Sequence, residues 1–478
     1  AFDAKTVSYS ELDSLSIRLA NTLIQSGVEK GDRVALFLPN IPQFVIAFFG
    51  ALKAGAVVTA INPLHREREV EFQLRDSGAQ TIVALESLNL ILGSVKAKTS
   101  LKKIITTKLP DIAFSELLKN ASTENPKVKI NPATDLAALQ YTGGTTGTPK
   151  AAMLTHRNLL SNALQFAAAI HAAPQDVFLT ALPLSHIYGL TTSMTTPLSV
   201  GAEMVLLSKF DATKACEAIQ QHKVTVFCGV PTMYQLLLAN PDLATYDLSS
   251  IRVCISGAAP LPPQVQKQFM QVTGGLLAEG YGLTEASPVT HCSPIDGRLQ
   301  VGSIGLPLTD TEARIVDTET GQKTLGVGEV GELAVAGPQV MLGYWQNPKE
   351  TAAVLHDGWL LTGDIARMDA DGYCYIVDRK KDLIKHNGYS VYPRELEDAL
   401  YGHPAVKLCA VVGRADATSG EVPVAFVVLK AGAAVSAEEL RAFVNTKAAP
   451  YKAIRHVELL KDLPVSSAGK VLRRQLKI

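Results

Sequence analysis

From Ser10 to about Val230 the sequence alternates helical and strand patterns, and this alternation limits the fold more than any other feature. Ser10 is placed to cap a helix in which Leu12, Leu15, Leu19 and Leu23 share a face, with Gly27 as its stop. Strand, helix, strand, helix and strand patterns follow at 33–38, 41–54, 56–61, 67–77 and 81–84. A second series places strands near 177–181, 204–207, 224–228 and 251–256. Such alternation calls for largely parallel sheets covered by helices, because a parallel neighbour is reached only through a crossover. Near Gly305 the texture changes to short strands with glycine turns (ARIVD, GELAVAG, GYCYIVD), which predicts an antiparallel or barrel-like subdomain. Beyond Arg379 a smaller α+β pattern has helices at 393–401 and 437–446 and strands at 406–412 and 424–429. The expected fold is therefore α/β. A large N-terminal domain, 1–379, has two mainly parallel sheets plus the small β subdomain, and an α+β domain spans 380–478. The charged run DRKKD at 378–382 marks the boundary.

Within that frame, YTGGTTGTPK at 141–150 joins two apolar runs of strand length, 136–141 and 151–154. It is glycine-rich and ends in a lysine, yet it is not a Walker loop, since Ala151 stands where a metal-binding hydroxyl would be. A loop between two strands offers no helix dipole. Its phosphate affinity would come from backbone N–H groups freed by Gly143, Gly144 and Gly147, from threonine hydroxyls, and from Lys150. Thr155 is the expected cap of the helix that follows. SGAAP at 256–260 and EGYGLTEA at 279–286 each come after an expected strand, where parallel sheets bind ligands. Gly257, Ala258, Ala259 and Gly282 would let a flat ring approach the backbone, with Tyr281 stacked on it, Thr284 donating to a phosphate and Glu285 holding magnesium. An ordinary turn with Thr284 as cap explains YGLTE equally well. Asp364 in LLTGDIA, placed after a strand, suits the two hydroxyls of a ribose or a plain turn. His186 in PLSHIYG and Lys470 in SSAGKVLRR read by themselves as a structural histidine and a solvated charge.

Taken together and in this order, TGGTTGTPK, YGLTE, TGD and GK resemble the superfamily of adenylate-forming enzymes, and the likeness runs from YSELD at Tyr9 to GKVLRR at Gly469. Within that superfamily the chain is most similar to fatty acyl-CoA synthetases of medium or long chain, and next to coumarate ligases. The resemblance implies that Thr142, Gly143, Gly144, Thr145, Thr146, Gly147, Thr148 and Lys150 hold the phosphates of ATP. Gly257, Ala258, Ala259, Tyr281 and Gly282 enclose adenine, and Asp364, Arg379 and Lys385 serve the nucleotide. Thr284, Glu285 (with Mg2+), His186 and Lys470 act in catalysis. It also implies a mobile C-terminal domain that turns at Lys381 and opens a coenzyme A tunnel past Gly388. Two positions depart from the family pattern: Ala151-Ala152 replaces the frequent Gly-Val, and Asn387 stands before Gly388.

The partners so implied are a carboxylic acid, ATP and coenzyme A. No acidic residue lies between Ser185 and Val200 to pair with an amino-acid ammonium, so Tyr188, Val230, Thr232 and Ser287 are expected to line an uncharged acyl pocket. Gly189, Gly257 and Gly282 are expected to leave room for its length. An aryl acid, or a nucleotide-binding regulator without turnover, remains the alternative. Lys+Arg and Asp+Glu both number 45, which removes any overall field for nucleic acid. Six cysteines without a C-x-x-C pair read as buried reduced thiols. With no expected membrane span or signal peptide, the expected location is the cytoplasm, with peripheral membrane association open. Monomer and homodimer are both open.

Overall fold

A computed structural model of the chain describes residues 1–2, 5–109, 111, 114–142, 149–296, 299–387, 389–416, 418–464 and 471–476. These form two compact units, one containing Ala1–Gly143, Pro149–Glu312 and Ala336–Gly358, the other Ala313–Val335 and Trp359–Ile478.

Two sheets carry the first unit. In the first, β1 (Arg33–Phe37), β2 (Val57–Ala60), β3 (Thr81–Leu85), β4 (Lys103–Thr107), β5 (Leu136–Tyr141) and β6 (Ala151–Thr155) lie in the order β4-β3-β1-β2-β5-β6. All pairings are parallel except the β5–β6 hairpin. Val34, Ala35, Leu36 and Phe37 are fully buried, the continuous apolar run expected of a strand covered on both faces. The opening helix, Tyr9–Gln25, is capped by Ser8 rather than Ser10. Ser8 accepts from the Glu11 amide at 3.2 Å, and its own amide donates to the Glu11 carboxylate at 2.7 Å, closing an S-x-x-E box that Ser10 cannot make. Thr155 caps the helix His156–Ala169 as expected, through a similar exchange with Asn158.

The second sheet holds β7 (Val177–Thr180), β8 (Glu203–Leu206), β9 (Val226–Gly229), β10 (Val253–Ser256), β11 (Leu276–Gly282), β12 (Val289–Cys292) and β13 (Leu306–Pro307), in the order β13-β12-β11-β10-β9-β7-β8. It is parallel from β8 to β11 and antiparallel beyond. Its core packs Tyr234 edge to face on Phe269 with centroids 5.0 Å apart, and tilted against Phe227 at 5.2 Å. Tyr281 and Gly282 were expected after a strand. They are the last residues of β11, which runs on because the antiparallel β12 offers it partners at His291 and Val289.

In the second unit, Gly331–Ala336, Trp359–Met368 and Cys374–Arg379 pair antiparallel, as the glycine-turn texture implied. Asp364 lies inside the long strand, opposite Arg379, and not after it. Lys380–Asp382 form one 3-10 turn. The helix Pro393–Tyr401 then packs on a hairpin of Val406–Asp416 and Gly420–Leu429, with Leu396, Leu400, Val411, Ala425, Val427, Leu440 and Val444 in its core. Both hairpin strands outrun the expected segments, because backbone pairing continues through Arg414–Val422 to Asp416–Gly420 without needing apolar side chains. All six cysteines are buried. Among the described residues no helix is long and apolar enough to cross a membrane.

Candidate active site

The carboxyl ends of β10 and β11 carry the first group of expected ligand-binding residues. Ser256 ends β10, and the amide of Gly257 donates to the Gly229 carbonyl at 3.1 Å. Ala258 has φ 68°, a left-handed conformation that costs a residue with a Cβ about 1–3 kcal/mol and that concentrates at functional sites. Tyr281 lies across the strand pair from His291, with ring centroids 5.9 Å apart in an edge arrangement. His291 is fully buried, its Nδ1 is 2.9 Å from the Thr290 hydroxyl, and burial pushes its pKa down to about 3. A neutral imidazole therefore props the Tyr281 ring. His291 was missed from sequence because a lone histidine in an apolar strand carries no motif.

The glycines do not do what was expected of them. A Cβ on Gly189 would stand 2.4 Å from the Pro183 carbonyl oxygen, one on Gly282 2.0 Å from the Pro288 oxygen, and one on Gly257 3.0 Å from the Tyr188 ring. The space beside each is filled by protein, so these glycines serve close packing and leave no room for an acyl chain in those directions. Tyr188 is itself a strut. Its hydroxyl lies 2.9 Å from the Ile255 carbonyl and 3.2 Å from that of Gly229, joining the ends of β10 and β9. Val230 is buried, and Ser287 is buried with its hydroxyl donating to the Gln339 carbonyl at 2.9 Å. Thr232 is exposed in the first turn of the helix Pro231–Leu238 and does not join them. His186 is exposed and caps the short helix Ile187–Leu190, its Nδ1 accepting from the Tyr188 amide at 3.2 Å.

At the glycine loop, the Thr142 amide donates to the Lys150 carbonyl at 2.8 Å and closes the base of the hairpin. Residues Gly143, Gly144, Thr145, Thr146, Gly147 and Thr148 lie outside the described residues, as do Gly388 and Lys470. Lys150 forms an ion pair with Glu350, and its ammonium sits 4.9 Å from the centre of the Tyr344 ring. The buried Tyr344 hydroxyl donates to Glu285 Oε1 at 2.6 Å. Burial and the Glu285 charge hold that phenol far above its usual pKa, so it remains a donor. Glu285 shares its 3-10 turn with Thr284. The segment that brings Tyr344 here is stitched down along its length. Met341 N–H donates to the Glu285 carbonyl at 2.8 Å, Leu342 N–H to Met153 at 3.0 Å and Trp345 N–H to Ala151 at 2.9 Å, while Met153 N–H donates to Gly343 at 2.9 Å. The available sequence signal for Tyr344 is LGYW at 342–345, an aromatic pair after a glycine.

In the second unit the Arg379 guanidinium bonds Asp364 Oδ1 at 2.9 Å, and the Asp364 side chain is almost fully buried. The buried Glu332 carboxylate accepts from the Gly363 amide at 3.0 Å and from the Lys380 ammonium at 2.7 Å, which fixes the T-G-D bend. Asp378 accepts from the amides of Arg379 (2.7 Å) and Arg394 (2.8 Å), and burial raises its pKa to about 6. Lys381 is exposed on the 3-10 turn, and Asp382 at the end of that turn is paired with Arg473 at 3.2 Å. Lys385 is exposed and donates to the Ser390 hydroxyl at 2.8 Å. Asn387, φ 50°, takes the left-handed turn position before Gly388.

Among the described residues no group of three or more His, Cys, Asp or Glu side chains could hold a metal. A single carboxylate such as Glu285, with one oxygen engaged by Tyr344, suits a cation that takes its other ligands from phosphate and water.

Residues 1–345 match the AMP-binding enzyme family, and residues 395–470 match the AMP-binding enzyme C-terminal domain. The chain is 44% identical, over 507 aligned positions covering 100% of it and 90% of the relative, to a long-chain-fatty-acid–CoA ligase of Bacillus subtilis. It is 37% identical to 4-coumarate–CoA ligase 1 of Solanum tuberosum, covering 98% of this chain and 88% of the other. The solved structure of ATP-bound MatB from Rhodopseudomonas palustris superposes with a TM-score of 0.92 at 32% identity, over 100% of this chain and 94% of that one. With its motifs in order and both family domains matched along its length, the chain belongs to the AMP-binding, adenylate-forming enzymes.

Proposed function

We propose that the enzyme joins a long-chain fatty acid to the thiol of coenzyme A at the expense of ATP. The observation that carries this reading is the arrangement around Tyr344, which sets a carboxylate for a metal ion (Glu285) and an ammonium for phosphate (Lys150) against one buried side chain. The relative named a long-chain-fatty-acid–CoA ligase, alike over the whole chain, supports the substrate class.

A fatty acid is ionised at neutral pH, so its carboxylate attacks the α-phosphorus of ATP without a general base. A C–O–P bond forms, the bond to the β-phosphate oxygen breaks, and pyrophosphate leaves. What the protein supplies is alignment and neutralisation of crowded negative charge. Lys150, Thr284 and Lys470 take those roles, while Thr142 and the loop residues hold the phosphates. Mg2+ on Glu285 would add charge neutralisation across the phosphates. Tyr281 stacks on adenine beside Gly257, Ala258 and Ala259, and Asp364, Arg379 and Lys385 hold the rest of the nucleoside. In the second step the thiol of coenzyme A, entering past Gly388, loses its proton and attacks the acyl carbonyl, and AMP departs. Rotation at Lys381 separates the two steps, with 1–379 as the frame and 380–478 as the moving part. The buried cysteines support a reducing, cytoplasmic location.

The test is ATP–pyrophosphate exchange, followed by thioester formation, over a panel of fatty, aryl and amino acids. Exchange strongest with long fatty acids is expected. Strongest exchange with coumarate-type acids would move the assignment to an aryl ligase. No exchange with any acid would leave a nucleotide-binding regulator.

A further inference from the structure

Lys150 already has a counter-charge within the chain. Its ammonium is paired with Glu350, on the first turn of the helix Pro348–Val354, and both side chains are partly solvated at 34% and 41% exposure. Asn347 caps that helix by accepting from the Glu350 amide at 3.2 Å, which fixes where the Glu350 side chain starts. The Tyr344 ring forms the floor beneath the ammonium at 4.9 Å. Tyr344 is in turn held by Glu285 and by the stitched segment 341–345. The lysine is thus seated on an aromatic face, with a carboxylate at its tip.

We propose that Glu350 is an internal competitor of the nucleotide phosphates, holding Lys150 in the nucleotide-free enzyme and taking it back as pyrophosphate leaves. The idea rests on the reading of Lys150 as a phosphate ligand and adds a residue that no motif marks. The ammonium has three donors and can meet a phosphate oxygen beside Glu350, but the carboxylate offsets its charge and so weakens its pull on phosphate. A carboxylate left beside the phosphates also repels them. Both effects lower ATP affinity and both ease product departure. The lysine is kept pre-aimed in exchange, because the ion pair and the ring restrict a side chain that would otherwise sample many rotamers. The lowered pKa of Glu350, caused first by its hydrogen bond to Lys150 and then by the lysine's charge, keeps the competitor ionised at neutral pH. Lys349 is the other charged group acting on it.

The experiment measures equilibrium binding of Mg-ATP, without acid so that nothing turns over, to wild type, Glu350→Gln, Glu350→Ala and Lys150→Ala, and to Lys150→Ala combined with Glu350→Gln. Adenosine, which lacks phosphates, is the control ligand. A partly exposed pair of this kind should make the two Glu350 variants bind ATP about two- to fivefold more tightly at low salt, with the gain shrinking at high salt. Adenosine affinity should not move, and pyrophosphate should inhibit the variants more strongly than wild type. In the Lys150→Ala background the Glu350 change should have little effect. Unchanged or weaker ATP binding in both Glu350 variants, or an equal shift for adenosine, overturns the proposal while leaving Lys150 as a phosphate ligand. Normal ATP affinity of Lys150→Ala would instead remove the phosphate reading and this proposal with it.

Discussion

Gly282→Ala separates two explanations of the same glycine. If Gly282 leaves room for substrate, alanine should shorten the preferred acid and do little else. The structure requires a different outcome. The added Cβ would stand 2.0 Å from the Pro288 oxygen, 2.6 Å from its carbon and 3.0 Å from the Val289 Cα, all backbone atoms with no rotamer to yield. Relief requires β11 and β12 to part by more than an ångström. The bond from the Leu283 amide to that same Pro288 oxygen, now 3.0 Å, breaks first. Overpacking of this kind costs about 1–3 kcal/mol, and a stranded backbone group adds about 1–3 kcal/mol. Because Gly282 is exposed and water can reach part of the damage, about 2–4 kcal/mol is the expected sum. At about 2–4 °C per kcal/mol for a large domain, the melting transition should fall by about 5–15 °C. The assays are thermal unfolding followed by near-ultraviolet dichroism, and pyrophosphate exchange with short, medium and long acids. Exchange should fall for all lengths together, since Tyr281 sits next to the displaced bond. A variant that melts with the wild type and merely prefers shorter acids would refute the packing argument.

Three further outcomes are expected. Tyr281→Phe should leave ATP affinity almost unchanged in direct titration, whereas Tyr281→Ala should weaken it by about 1–3 kcal/mol; an alanine variant with normal affinity would place adenine elsewhere. Lys381→Pro, which fixes φ near −65°, should retain single-turnover pyrophosphate release but lose most thioester formation from supplied acyl-adenylate, while Lys381→Ala keeps both; normal thioester formation in the proline variant would exclude rotation there. Burial raises the folded-state pKa of Asp378 to about 6 against an unfolded value of 3.8, so the folded protein holds that proton more tightly. Its contribution to stability is present in full below about pH 4 and is lost as pH rises through about 6, a change of about 2–3 kcal/mol. The stability difference between wild type and Asp378→Asn in denaturant should therefore shift by that amount between pH 4 and 7, and a constant difference would show that folding does not change the affinity of Asp378 for its proton.

Periodicity located the central strands of both parallel sheets, because strands buried on both faces have to be apolar along their whole length, as Val34 to Phe37 are. The half-exposed edge strand β4 and the short antiparallel β12 and β13 escaped it. Ends were harder to read. β11 runs through Gly282 on account of β12, a partner distant in sequence from the residues that define the strand. The helix cap moved from Ser10 to Ser8 because only Ser8 has a glutamate three places on. At the site, motifs point to the residues proposed to meet nucleotide. They could not find those that hold them in place. Tyr344, His291 and Glu332 act on Glu285, Tyr281 and Gly363 from distant parts of the chain, so no local spacing announces them. The glycines mislead for a related reason: sequence shows that a side chain is missing, whereas only coordinates show what occupies its place.

The stitched segment at 341–345 also has a consequence for how the molecule meets its neighbours. β6 is the outermost strand of its sheet, and an outermost strand offers a row of unused amides and carbonyls to any extended chain that passes. Here that row is already taken, since Ala151 and Met153 exchange their outward bonds with Leu342, Gly343 and Trp345. The residues that aim Tyr344 at Glu285 thereby also blunt an adhesive border. A lesion that freed them would make the protein sticky as well as slow.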